Sequence, residues 1–290
     1  MQHFTIRDIE HLTGIKAHTI RMWEKRYAFF NPSRSNTNIR FYAVDELKLL
    51  LDISLLNRCG FKISHIVEMS PEQREQNIEQ LHDLNACNEN FINKLIIQMI
   101  LLDMDAFERL LCTYISTYGS DAGISNVILP FTEKINLLRS EHRLQQAQEQ
   151  MVFSILRKKI ISAILLLSDS CTYAKTILMF LPEGDHNEIE LLLMQYFTKQ
   201  KGLRVIYLGT NVPVKDVFQI ASYKKPDYIF TMLNKERSHL KQEKYIEKLS
   251  LLFNEYKIII TSKPLQRYEE QVPENILLNS SATEAMRFFF

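Results

Sequence analysis

The chain has 290 residues, 46% of them hydrophobic and 24% charged, a length that suits two or three globular domains whose cores need no covalent staples. Its longest apolar run, residues 160–167, falls far short of the ~18–20 residues that span a bilayer. The N-terminus carries no basic stretch followed by an apolar core, so the expected location is the cytoplasm. The four cysteines, Cys59, Cys87, Cys112 and Cys171, are never closer than 25 residues, which excludes a local CxxC-type zinc or redox site. The seven glycines include no pair at GxGxxG or P-loop spacing, so a backbone cradle for pyrophosphate is excluded as well.

The net charge of +1 hides an asymmetry. Between Lys16 and Tyr42 six bases (Lys16, Arg21, Lys25, Arg26, Arg34 and Arg40) face a single acid, Glu24. A basic block on a mildly acidic body points to an anionic partner for this part of the chain. Thr5 can cap a helix over residues 6–12, with Asp8 closing a capping box. Gly14 then supplies a tight turn, and a second helix runs from near Lys16 to Tyr27 with Ile20, Trp23 and Tyr27 as its inner stripe. Two short helices across a glycine turn make a helix-turn-helix, whose second helix reaches base edges while flanking bases meet phosphate. A polar, turn-rich stretch closed by Ile39-Arg40-Phe41-Tyr42 reads as a two-stranded wing.

These runs resemble the MerR family of winged-helix transcription regulators: Thr5-Ile6-Arg7-Asp8-Ile9-Glu10, then Thr19-Ile20-Arg21-Met22-Trp23-Glu24-Lys25-Arg26-Tyr27, then Asn38-Ile39-Arg40-Phe41-Tyr42. The resemblance is closest to the CarH/LitR-like branch, whose members carry a cobalamin-binding region and act as light-responsive repressors. It implies double-stranded DNA as the partner. Lys16, His18, Thr19 and Arg21 are the expected groove contacts, and Arg26, Tyr27, Arg34, Asn38, Arg40 and Tyr42 the expected phosphate contacts.

Pro71 is expected to break the chain, and helical periodicity then runs almost to residue 167. Breaks at Asp103, Ser120 and about Arg143 would give four helices, a bundle with Met99, Met104, Met151, Phe107, Tyr114, Phe131 and Phe153 in its core. From Lys175 onward strands alternate with helices, which predicts a parallel sheet covered on both faces. The expected fold is thus multidomain α and α/β: an N-terminal winged helix-turn-helix (1–72), a central four-helix bundle (73–168) and a C-terminal Rossmann-like, flavodoxin-like parallel sheet (172–290).

The latter two regions resemble the helical cap and Rossmann-like half of cobalamin-binding modules, but the ligand motifs depart from that pattern. Aligned through Pro182-Glu183-Gly184, Asn187 stands at the family's cobalt-ligating histidine and Glu190 at its glycine, with His186 one position early. Thr231 replaces the serine of a serine-x-leucine turn. Thr261 and Ser262 replace paired glycines that admit the nucleotide tail. In the cap, Arg139 stands at a tryptophan and Gln150 at a histidine, and Glu149 alone matches. The expectation is a regulator that needs no cobalamin and uses its C-terminal module for homo-oligomerisation or protein contact. The other reading is a regulator that still answers to a corrinoid or another small ligand. No catalytic constellation emerges; Glu188/Glu190 and Glu269/Glu270 read as solvated faces, so an enzyme is not expected, and no metal site is expected either. A long dimerising coiled coil is not evident after residue 70, which points to the C-terminal module for assembly.

Overall fold

The computed structural model describes residues 3–27, 30, 32–35, 38–140, 144–167, 175–233, 239–262, 272–279 and 284. The chain divides into two compact units, Met1–Ile155 and Leu156–Phe290.

The first unit opens with β1 (Phe4–Thr5) and α1 (Ile6–Thr13). Thr5 closes the expected capping box: its backbone N–H donates to Asp8 Oδ2 at 2.6 Å, and its hydroxyl accepts from the Asp8 N–H. Gly14, at φ 73°, ends the helix in the left-handed region where a Cβ would be strained. α2 (Ala17–Tyr27) follows, then β2 (Ser33–Arg34) and β3 (Arg40–Tyr42). These strands form an antiparallel sheet in the order β1-β3-β2, so the wing is anchored to the start of the chain. α3 (Val44–Arg58) and α4 (Ile63–Glu68) complete this part.

The expected break is present, since α4 ends at Glu68 and a new helix begins at Pro71. Pro71 occupies the first turn of α5 (Pro71–Glu79), where a missing N–H costs nothing, and Ser70 and Gln73 form a capping box ahead of it. α6 (Leu84–Leu101) and α7 (Met104–Ala122) follow, divided at Asp103 as expected, where that residue caps α7. The next interruption falls at Gly119 (φ 86°, ψ 165°) instead of Ser120, because only glycine takes that conformation cheaply. A π-helical segment, Gly123–Ile128, leads directly into α8 (Leu129–Ser140), and α9 (Gln146–Leu166) runs across the division between the units. Met99, Phe107, Tyr114, Phe131 and Phe153 are buried as expected, whereas Met104 is partly exposed and Met151, at 45% exposure, faces outward. Phe107 and Phe131 meet at 5.4 Å between ring centroids. Arg143, Cys171 and the Glu269/Glu270 pair lie outside the described residues.

The second unit is a five-stranded parallel sheet: β4 (Thr176–Pro182), β5 (Arg204–Val212), β6 (Tyr228–Met232), β7 (Lys257–Thr261) and β8 (Ile276–Asn279). The order is β5-β4-β6-β7-β8, the doubly wound flavodoxin-like arrangement. α10 (Glu188–Gln200), α11 (Val214–Lys224) and α12 (His239–Leu252) connect the strands. Strand side chains alternate between two cores. Leu178, Phe180, Ile229, Ile258 and Ile260 share one with Val217 and Ile246; Ile177, Met179, Phe230 and Ile259 share the other with Leu191 and Met194. A sheet buried on both faces explains strands that read as continuous apolar runs.

Candidate nucleic-acid interface and the carboxyl edge of the sheet

Two carboxylates fix α2. Glu10 on α1 accepts the Ala17 N–H (3.2 Å) at the start of α2 and pairs with Lys16 (3.2 Å). The Lys16 hydrogen bond, outweighing desolvation, holds the Glu10 carboxyl below the usual carboxylate range. Glu24, near the other end, accepts from Arg40 Nε at 2.7 Å and from Arg34 Nη2 at 3.1 Å. Ile20 is fully buried, and Trp23 packs partly buried against a core built from Ile53, Leu55, Leu56, Ile66, Met69, Ile78 and Ala86. With that face inward, His18, Arg21, Met22 and Lys25 share the opposite, exposed face.

The expected contact residues therefore separate into groups. Lys16, His18 and Arg21 are exposed, with Thr19 half-buried and its hydroxyl 3.3 Å from His18 Nε2. Arg26 is exposed and lies over the Tyr27 ring, 5.2 Å from its centroid. Asn38 is exposed at the wing tip with φ 62° and accepts from Arg34 Nη1 at 3.0 Å. Arg34 and Arg40 are both held by Glu24. Tyr42 is a correction: it is fully buried against Phe30, 5.9 Å between centroids, and so is a core residue in place of the expected phosphate contact. Its partner in the β1–β3 ladder, Phe4, turns it inward on the pleat. Burial, with Glu24 nearby, pushes its hydroxyl up to about 12.

Sequence reasoning missed Met22 and Lys25, which the i, i+3/i+4, i+7 spacing from His18 could have supplied. It also counted Glu24 only as a charge. Its partners lie 10 and 16 residues away, beyond any helical spacing.

At the carboxyl edge of the parallel sheet, Asp185 is buried and its Oδ1 accepts the Asn187 N–H at 3.2 Å. Asn187 precedes α10, Glu190 lies in the first turn, and His186 is exposed on the loop. Glu188 is a further correction to the solvated-face reading. It accepts from Arg157 Nε on α9 (2.7 Å) and from the Tyr207 hydroxyl on β5 (3.3 Å). Thr231 is also not in a turn: it lies inside β6, fully buried. Thr261 and Asn279 are register partners on β7 and β8, both buried, with Ser262 buried just after. Thr231 Oγ1, Thr261 Oγ1 and Asn279 Nδ2 are buried without a hydrogen-bond partner among the described residues. Glu149 is buried on α9 and Gln150 exposed; the Arg139 side chain lies outside the described residues. Among the described residues no three His, Cys, Asp or Glu side chains gather as metal ligands, and no helix is long and apolar enough to cross a membrane.

Residues 4–73 match the MerR HTH family regulatory protein domain. The HTH-type transcriptional repressor CarA of Myxococcus xanthus is 27% identical over 229 residues, covering 77% of this chain and 74% of that protein. The HTH-type transcriptional repressor CarH of the same organism is 22% identical over 224 residues, 75% of this chain and 74% of that one. Among solved structures, the Methanosarcina barkeri monomethylamine corrinoid protein superposes with a TM-score of 0.55 at 17% identity, over 69% of this chain and 97% of its own. That likeness is one of fold.

Proposed function

We propose that this chain, whose residues 4–73 form a MerR-type helix-turn-helix domain, is a sequence-specific transcription regulator acting on double-stranded DNA in the cytoplasm. The observation that carries this reading is the exposed face of α2, where His18, Arg21 and Lys25 stand clear of a helix pinned at both ends by Glu10 and Glu24. Lys16, His18, Thr19 and Arg21 take the groove, where Met22 offers an apolar surface to a thymine methyl. Arg26, Tyr27, Arg34, Asn38 and Arg40 meet phosphate. The functional parts are 1–72 for DNA, 73–168 as a cap-like bundle and 172–290 as the Rossmann-like module. A palindromic site demands two wings, so the regulator works as a homo-oligomer assembled through its C-terminal module. It has no catalytic role.

The residues at the carboxyl edge do not fit cobalamin. An amide at Asn187 is a poor ligand for cobalt beside imidazole. His186, one residue early, is exposed on the loop. Thr261 and Ser262 put buried side chains where the related modules have glycines. Arg157, Glu188 and Tyr207 satisfy one another beside the loop without a ligand. A second reading, a regulator answering to a small polar ligand, is favoured by one observation: Thr231 Oγ1, Thr261 Oγ1 and Asn279 Nδ2, buried at this edge, have no hydrogen-bond partner among the described residues.

Two experiments test these readings. Arg21→Ala is expected to weaken binding to a site enriched from randomised duplexes by ~1–3 kcal/mol; unchanged affinity in a gel-shift titration removes Arg21 from base readout. Incubation with adenosylcobalamin in the dark, followed by desalting, is expected to leave the protein colourless. A stoichiometric corrin absorbance would overturn the cobalamin-free reading.

A further inference from the structure

Glu24 is the single acid in the basic block from Lys16 to Tyr42. A carboxylate at a DNA-facing surface repels phosphate and lowers affinity for every sequence alike. Its placement is specific nonetheless. One oxygen takes Arg40 Nε at 2.7 Å, the other takes Arg34 Nη2 at 3.1 Å, and its side chain is only 13% exposed. Hydrogen bonding to Glu24 holds the Arg40 guanidinium above its ordinary value. From Arg34 the chain of contacts continues through Nη1 to Asn38 Oδ1 (3.0 Å). Asn38 lies at φ 62°, its N–H donates to the Ser35 carbonyl (2.9 Å), and Ser35 Oγ accepts the Ile39 N–H (3.1 Å). A continuous path of bonds thus joins the recognition helix to the wing tip.

We propose that Glu24 is the positioning residue of the DNA interface: it locks the wing against α2 and aims the remaining donors of Arg34 and Arg40 at phosphate. Arginine suits this arrangement because its planar fork carries five N–H donors, and a carboxylate that takes one or two of them fixes the direction of the others. The acid gives up non-specific attraction in return for a fixed spacing between groove contacts and wing contacts. The inference rests on the DNA-binding reading above.

The test inverts the sign expected from charge alone. The wild-type full-length chain first enriches a site from randomised duplexes, and affinities for that site and for a scrambled duplex are then measured by fluorescence anisotropy. If Glu24 acts only as a charge, Glu24→Gln tightens binding to both duplexes. As a positioning residue it makes Glu24→Gln bind the selected site about ten-fold more weakly, the scale of one lost interface contact, while the scrambled duplex binds equally or more tightly. Glu24→Asp, which keeps the charge and can still reach one arginine, should recover part of the loss. Glu24→Gln combined with Arg40→Ala should weaken binding by less than the two single losses together, because Arg40 is one of the two arginines that Glu24 holds. Unchanged thermal unfolding of the variants excludes a folding defect. Wild-type binding with equal or tighter selected-site binding by Glu24→Gln overturns the inference. A wild-type chain that enriches no duplex overturns the DNA-binding reading beneath it.

Discussion

Tyr42 joins the wing to the interior through a ring that meets Phe30, and its buried hydroxyl has no hydrogen-bond partner among the described residues. A buried unsatisfied hydroxyl costs ~1–3 kcal/mol, so Tyr42→Phe is expected to raise the unfolding midpoint and leave DNA affinity unchanged. A marked loss of affinity would return Tyr42 to the phosphate contacts. Asp52 on α3 is a second residue held against its preference. Burial, only partly offset by Lys48, pushes its carboxyl up to about 6. The folded state therefore binds a proton more tightly than the unfolded chain, and the stability associated with this group falls as pH rises from about 4 to about 6 and stays low above. Asp52→Asn should remove that fall, raising stability at pH 7 by ~1–3 kcal/mol; equal pH profiles for variant and wild type in urea titrations would refute it. At this scale the sequence was legible where contact follows spacing. Thr5 and Asp8 stand three residues apart and close the capping box as read. Glu24 and Arg40 stand 16 apart, and no periodicity announces their contact.

Elements were legible where one face is apolar or where both are. The strands of the sheet announced themselves by continuous apolar runs, and their parallel pairing follows from strand–helix alternation. Termini and irregular turns were less visible, because a proline or a glycine means different things in different places. Pro71 starts a helix, since Ser70 caps it. Gly119 interrupts one by taking a backbone conformation closed to other residues. Gly123 has a different reason to be glycine: an added Cβ would lie 2.6 Å from Ile115 Cγ1, on the far side of the Gly119 kink. Gly123→Ala should therefore destabilise the protein by ~1–3 kcal/mol, read as a lower denaturation midpoint. A neutral result would mean that the π-helical segment relaxes into regular α-helix at no cost. The approach joins residues on either side of the Gly119 kink, which a 3.6-residue pattern cannot show.

Across the whole molecule, the sequence suggested a DNA-binding domain ending near residue 72. Packing is continuous at that point. Ile53, Leu55 and Leu56 on α3 share their core with Met69, Ile78 on α5 and Ala86 on α6. Arg58 on α3 pairs with Glu89 on α6, and Lys134 on α8 reaches both Glu89 and Asn93 at 3.3 Å. Burial raises the Glu89 carboxyl, but Arg58 and Lys134 outweigh it and keep the group below its ordinary value. A fragment of residues 1–155 is expected to unfold in one transition. A fragment of residues 1–72 should lack one, because it discards Ile78, Ala86 and Glu89. A sharp two-state melt of the shorter piece would show that the winged helix is self-sufficient.

The shared core behind Trp23 reaches further than stability. A helix that reads DNA on one side and rests on α3 to α6 through Trp23 on the other has no hinge at its back. A chain that exchanged this head for another would have to repack the core behind Trp23 at the same time.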